Sequence, residues 1–258
     1  MKTRTPFDRH NLYISRRDKV VEIGSGHDPM YRSDVIVEKY INNNYHRCGD
    51  VKIYPHQQFV NADGEQLPFI DSQFDYAISN HVIEHAEHPD LFIRELTRVA
   101  SRGYIESPSL IGEYLFPKKS HKWVILDIDG KLVFYEKALL GENYKHDYGG
   151  LFLNYLPYQS LPYKLLWYTE GALMLNRYEW KDGIDFLINP TDDFYRSFFT
   201  QPWSREMAEY LFPPRSLSHE LKQTFVAIGH LIRGKMRQLS DKHNQLMTIE
   251  DYIKQANT

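Results

Sequence analysis

The chain has one cysteine, Cys48. That excludes an intrachain disulfide and a multi-cysteine metal site, and it suits a reducing compartment. No stretch approaches the roughly 18 consecutive apolar residues that would span a bilayer. The first nineteen residues are polar and charged, without the apolar centre of a secretion signal, so a cytoplasmic location is expected. There is no excess of positive charge either. The net charge of -3 provides no global field to recruit nucleic acid, and no nucleic-acid partner is expected. Internal repeats and low-complexity tracts are also missing.

What is present describes an ordinary soluble globular protein. Of 258 residues, 42% are hydrophobic and 25% charged, enough to bury a full core. Aromatic residues reach 14%, with 19 tyrosines, and they concentrate after residue 114. Two halves with different tasks are therefore expected, 1–140 and 141–258.

Short apolar runs in the first half read as buried parallel strands. Lys19–Ile23 stops at Gly24, Asp34–Val37 at Glu38, Phe74–Ser79 at Asn80, and Gly103–Glu106 at Ser107-Pro108. Each ends at small or polar residues, as strands do where their carboxyl ends border a ligand crevice. Between the third and fourth runs, Pro89–Val99 has Pro89 in the first turn and Phe92, Leu96 and Val99 at helical spacing. Strand, helix, strand predicts a parallel, Rossmann-like α/β sheet with helices on both faces. Only the short run from His27 to Asp34 separates Gly26 from Val35, so the first crossover helix is reduced to about a turn, with Pro29 as its start. Farther on, Asp129-Gly130 between Trp123–Asp127 and Leu132–Tyr135 predicts a hairpin. Residues 141–203 form an aromatic stretch of weak periodicity. In 216–239 the residues Leu217, Leu221, Phe225, Ile228, Ile232, Met236 and Leu239 share one helical face. That face is expected to pack on its own protein; contact with a membrane surface or a partner is the other reading.

Four segments carry chemistry. Glu22-Ile23-Gly24-Ser25-Gly26 ends a strand in an acid and a glycine pair, which lets the backbone turn tightly beneath a nucleotide. Glu38 ends the next strand, where an acid accepts hydrogen bonds from ribose hydroxyls. In Asn61–Phe69, Asp63 followed by Gly64 can accept an exocyclic adenine amine and leave room for the ring; an Asp-Gly turn is the plain alternative. The strand Phe74–Ser79 then runs into Asn80-His81-Val82-Ile83-Glu84-His85.

In this order and spacing the segments resemble the class I S-adenosylmethionine (SAM)-dependent methyltransferases of the type 11 kind. The resemblance covers about residues 19–109. It implies SAM as cofactor, held by Glu22, Gly24, Ser25, Gly26, Glu38, Asp63, Gly64, Asn80 and His81. It also implies methyl transfer to oxygen or nitrogen of a small-molecule acceptor, such as a sugar or a secondary metabolite. The chain departs from the family in lacking a third glycine near Asp28 and in its short loop Ser101-Arg102-Gly103. These departures support an alternative, a non-catalytic methyltransferase-like protein that binds a nucleotide or a partner. A base for the acceptor's proton would be a histidine. His81, His85 and His121 are the candidates, each with a loop-ordering role as the plainer reading, and Glu106 is a further pocket acid. His81, Glu84 and His85 could also be donors to a metal ion, but a fourth ligand is not apparent and no metal is expected. The aromatic residues 141–203 would choose the acceptor, or simply pack as a cap.

Overall fold

The computed structural model describes residues 1–41, 43, 44, 49–141, 147–238 and 245–256. Cys48 and Leu239 lie outside them. In chain order the strands are β1 (Lys2–Arg4), β2 (Val20–Ile23), β3 (Val35–Glu38), β4 (Lys52–Ile53), β5 (Gln58–Asn61), β6 (Tyr76–Asn80), β7 (Arg102–Pro108), β8 (Trp123–Ile128), β9 (Lys131–Glu136), β10 (Leu175–Lys181), β11 (Phe186–Ile188) and β12 (Met247–Thr248). The helices are α1 (Pro89–Val99), α2 (Leu110–Leu115), α3 (Gly149–Phe152), α4 (Leu156–Gln159), α5 (Leu161–Thr169), α6 (Asp193–Thr200), α7 (Arg205–Leu211), α8 (Leu217–Gln238) and α9 (Ile249–Ala256).

The chain divides into two compact units that share it in alternation. The first comprises 1–107, 178–184 and 240–258, the second 108–177 and 185–239. The change at Pro108, seen in the sequence as a change of pattern, is the first passage between them. The expected division at residue 140 falls inside the second unit.

The first unit is built on a sheet ordered β1-β10-β7-β6-β2-β3-β5. Strands β5, β3, β2, β6 and β7 pair in parallel. The chain moves outward from β2 to β3 and β5, then returns to β6 on the other side of β2. The strand order therefore reverses between β2 and β6, and the carboxyl ends of these two strands form the switch point where such sheets bind ligands. Val20, Val21, Val35, Ile36, Ala77 and Ile78 are fully or almost fully buried, as strands covered on both faces require. Helix α1 buries Phe92, Ile93, Leu96 and Val99.

The predicted first crossover helix does not form: residues 24–34 make turns only. Glu22 replaces its structural role. One carboxylate oxygen, Oε2, accepts from Met30 N (2.9 Å) and Ser33 Oγ (2.8 Å), tying the crossover down without helical hydrogen bonds. Next to β3, Ile36, Val51 and Ile53 bury against Ile249 of α9, with Met247 and Tyr252 packed alongside. β12 also pairs with β4, so residues 247–256 cover apolar surface of the first unit.

The second unit holds the three-stranded sheet β11-β9-β8. Asp129 and Gly130 have φ of 53° and 72°, the paired left-handed conformation that a two-residue hairpin turn needs. Val124, Leu126, Ile128, Val133 and Tyr135 bury against Phe198 and Phe199. Trp123 opens β8 as a buried residue. Helix α8 matches the predicted span, but its apolar face is turned outward, against the expectation that it packs on its own protein. On its inward side Ala227 and His230 are buried, and the His230 ring stacks on Tyr168.

Candidate functional site

The crevice at the carboxyl ends of β2, β3 and β6 collects the predicted cofactor residues. Gly24 and Gly26 have φ of 73° and 59°, the left-handed region in which a Cβ is disfavoured. A Cβ on Gly24 would also stand closer to Val82 Cγ2 than real atoms approach. The need for glycine at 24 thus comes from the loop after β6 packing against the glycine turn.

Glu38 is buried. Its Oε1 accepts from the Gly26 amide and from Ser25 Oγ. The acid predicted to meet a ribose therefore also closes the glycine turn. Asp63 lies at the mouth, its Oδ2 2.6 Å from Lys39 Nζ and its Oδ1 accepting from Glu65 N (3.0 Å). The hydrogen bond to Asp63 raises the Lys39 ammonium above its ordinary pKa. A Cβ on Gly64 would run into Phe92, so the small residue after the acid serves the packing of α1. The rest of the Asp63–Phe69 segment is clamped to the same helix. Glu65 Oε1 accepts from the amides of Glu87 (2.6 Å) and His88 (3.1 Å) at its N-terminus. Glu95 accepts from Leu67 N (2.6 Å), and Arg98 donates to the carbonyls of Leu67 and Phe69.

Asn80 and Glu22 are placed differently. Glu22 is in register with Ile78, so the alternation of a strand puts Asn80 on the same face as Glu22. Both polar atoms of the Asn80 amide are buried without a hydrogen-bond partner, as is Glu22 Oε1. Burial also raises the Glu22 carboxyl above the usual range, against the opposing charge of Arg9. A buried polar group without a partner costs about 1–3 kcal/mol. Two neighbouring strands carry such groups at the switch point.

His81 follows with φ of 54°. Its ring lies 3.5 Å from Glu84 Oε1 and 3.4 Å from Glu106 Oε1. Desolvation opposes the charge, but nearly half of the side chain is exposed (46%), and the two carboxylates prevail, raising its pKa to about 10. His85 ends a short 3-10 turn, Ile83–His85, with its amide donating to Val82 O (2.9 Å). His121 belongs to the second unit. It is buried, not set over an open mouth, with Nδ1 2.5 Å from Glu113 Oε2; Glu113 also receives Lys137 Nζ at 2.5 Å. Lys39, Glu113 and Lys137 were not singled out from the sequence. Each acts across a span of sequence that carries no local pattern.

One family and several known proteins are similar to parts of the chain. The family described as "Methyltransferase domain" matches residues 36–105. An uncharacterized protein of Methanocaldococcus jannaschii is 41% identical over 64 residues, 22% of this chain and 31% of the relative. The chain thus spans about a third of the length of that relative. Among solved structures, the PH0226 protein of Pyrococcus horikoshii is 18% identical with a TM-score of 0.33, covering 45% of this chain and 64% of that one. A SAM-dependent methyltransferase of Aquifex aeolicus is 12% identical with a TM-score of 0.26, covering 36% and 57%. SAM is the cofactor that the family implies. The matched segment runs from β3 into β7, so the stretch similar to the methyltransferase domain is the one that carries Glu38, Asp63 and Asn80.

Proposed function

We propose that the chain transfers a methyl group from SAM to an oxygen or nitrogen of a small-molecule acceptor, such as a sugar or secondary metabolite. The observation that carries this reading is the set of unpaired polar atoms at the switch point, Glu22 Oε1 and both atoms of the Asn80 amide. An amide that can donate and accept, beside a carboxylate, suits the amino and carboxylate groups of a methionine moiety. Glu38 turns from Gly26 to the ribose hydroxyls, and Asp63 divides its oxygens between Lys39 and the adenine amine. The aromatic residues 141–203 are assigned to acceptor choice.

The cofactor supplies a methyl group on a positively charged sulfur. The acceptor lone pair bonds to that carbon as the carbon–sulfur bond breaks, and the acceptor proton passes to a base. His81 already holds its proton at neutral pH and therefore orders the loop between Glu84 and Glu106. His85 and His121 stay as the candidates for that base.

Isothermal titration with SAM and S-adenosylhomocysteine tests the pocket. Both should bind the wild type, and Asn80→Ala should weaken each by about tenfold, the equivalent of one to two hydrogen bonds. Unchanged affinity in Asn80→Ala and Glu38→Ala would refute this map. Failure of both ligands to bind the wild type would favour a non-catalytic, methyltransferase-like binding protein in which the internal bonds Glu38–Gly26 and Asp63–Lys39 keep the crevice closed.

A further inference from the structure

Helix α8 presents its large apolar residues to solvent. Leu217 (75% exposed), Leu221, Phe225 (71%), Ile228, Ile232 (58%) and Met236 all stand out from the second unit. At about 100° per residue these six lie within an arc of about 100°, a continuous stripe along the helix. The opposite side, with the buried Ala227 and His230, is the side turned inward. Helix α8 packs against α5, which itself exposes Leu161 and Leu166. An exposed patch of this size marks an interaction surface.

The charges decide what covers it. Lys222 and Arg233 border one edge of the stripe and Lys235 the other, all exposed. Glu220, the one acid in the helix, has a partly exposed side chain (43%) and is neutralised by an ion pair with Arg215 at 2.6 Å. The apolar stripe is thus flanked by three cations with the one acid paired, complementary to an anionic lipid surface.

The geometry points to α8 as an in-plane membrane anchor. It lies in the interface of an anionic bilayer with Phe225 and its apolar neighbours immersed and the three cations at the headgroups. This holds independently of whether SAM binds the first unit.

Flotation of the full chain with vesicles of phosphatidylcholine and phosphatidylglycerol, against vesicles of phosphatidylcholine alone, tests it. The protein should float with the anionic vesicles and be released by salt. Phe225→Asp with Ile232→Asp should abolish flotation. Lys222→Gln, Arg233→Gln and Lys235→Gln together should weaken partitioning about 100-fold, from ~1 kcal/mol for each cation. Thermal melting checks the fold of both variants; should the aspartates unfold the chain, the charge variant carries the test. Failure to float with anionic vesicles, or flotation that survives the charge variant unchanged, overturns the proposal. So does a dimer in sedimentation that Phe225→Asp disperses in a protein that does not float, because the stripe is then an interface between copies.

Discussion

His81 combines two features that rarely meet in one residue. Its backbone is left-handed, a conformation tolerated by asparagine better than by most residues, and its ring sits between Glu84 and Glu106. A histidine whose pKa rises on folding stabilises the fold fully below its unfolded value. It loses that contribution as pH rises through the folded value. Here the window runs from 6.5 to about 10. The melting temperature of the wild type should fall across that window, and His81→Asn, which keeps the backbone and removes the titration, should flatten the curve. A parallel pair of melting curves would show that the ring is not held by the carboxylates. Glu22 in β2 acts in the same direction. Its carboxyl is raised by burial, so its contribution is greatest in acid and fades as pH climbs through the raised value.

At the level of elements, the missing crossover helix and the segment 247–256 belong together. A doubly wound sheet needs both faces covered, and where a crossover is too short to do so another part of the chain must. Ile249, buried against Ile36, Val51 and Ile53, is the centre of that cover. Ile249→Ala should cost about 2–4 kcal/mol in urea denaturation, the usual loss for an isoleucine truncated in a core. A cost below about 0.5 kcal/mol, ordinary for a surface change, would mean that the segment lies loosely on the sheet.

Strands β2, β3 and β6 and helix α1 are legible in the sequence because unbroken apolar runs or a 3.6-residue period end at polar residues. Strand β10 is not. Asn176, Arg177 and Glu179 interrupt it, yet all are buried. Glu179 is accommodated by Tyr76 Oη (2.6 Å), Tyr13 N (2.8 Å) and Arg4, and Asn176 by the carbonyls of Pro108 (2.9 Å) and Ile125 (3.0 Å). Polar side chains satisfied by distant partners look like loop residues until the fold is known. The site shows the same limit: the acids and glycines follow a local pattern, while Lys39, Val82 and Phe92 act on them from elsewhere in the chain. For α8 the period was visible, but an apolar stripe reads the same whether a core or another surface covers it.

For the whole molecule the main fact is alternation. The chain leaves the first unit after Ser107, returns for 178–184, leaves again and comes back for 240–258. Cutting it at one point cannot yield the first unit intact. A fragment of residues 1–140 would lack β10, the neighbour of β7, and also Ile249. It should show no cooperative thermal transition by circular dichroism, where the full chain shows one. A cooperative melt of that fragment would mean that the parallel strands alone suffice.

Alternation also sets a timetable for synthesis. Once β7 has emerged from the ribosome, its outer edge waits for β10 while residues 108–177 are made. At about 5–20 residues per second this takes roughly 4–14 s. For that interval the nascent chain carries a strand edge open to pairing with its neighbours. Demand for chaperones should therefore peak midway through translation, before β10 has appeared.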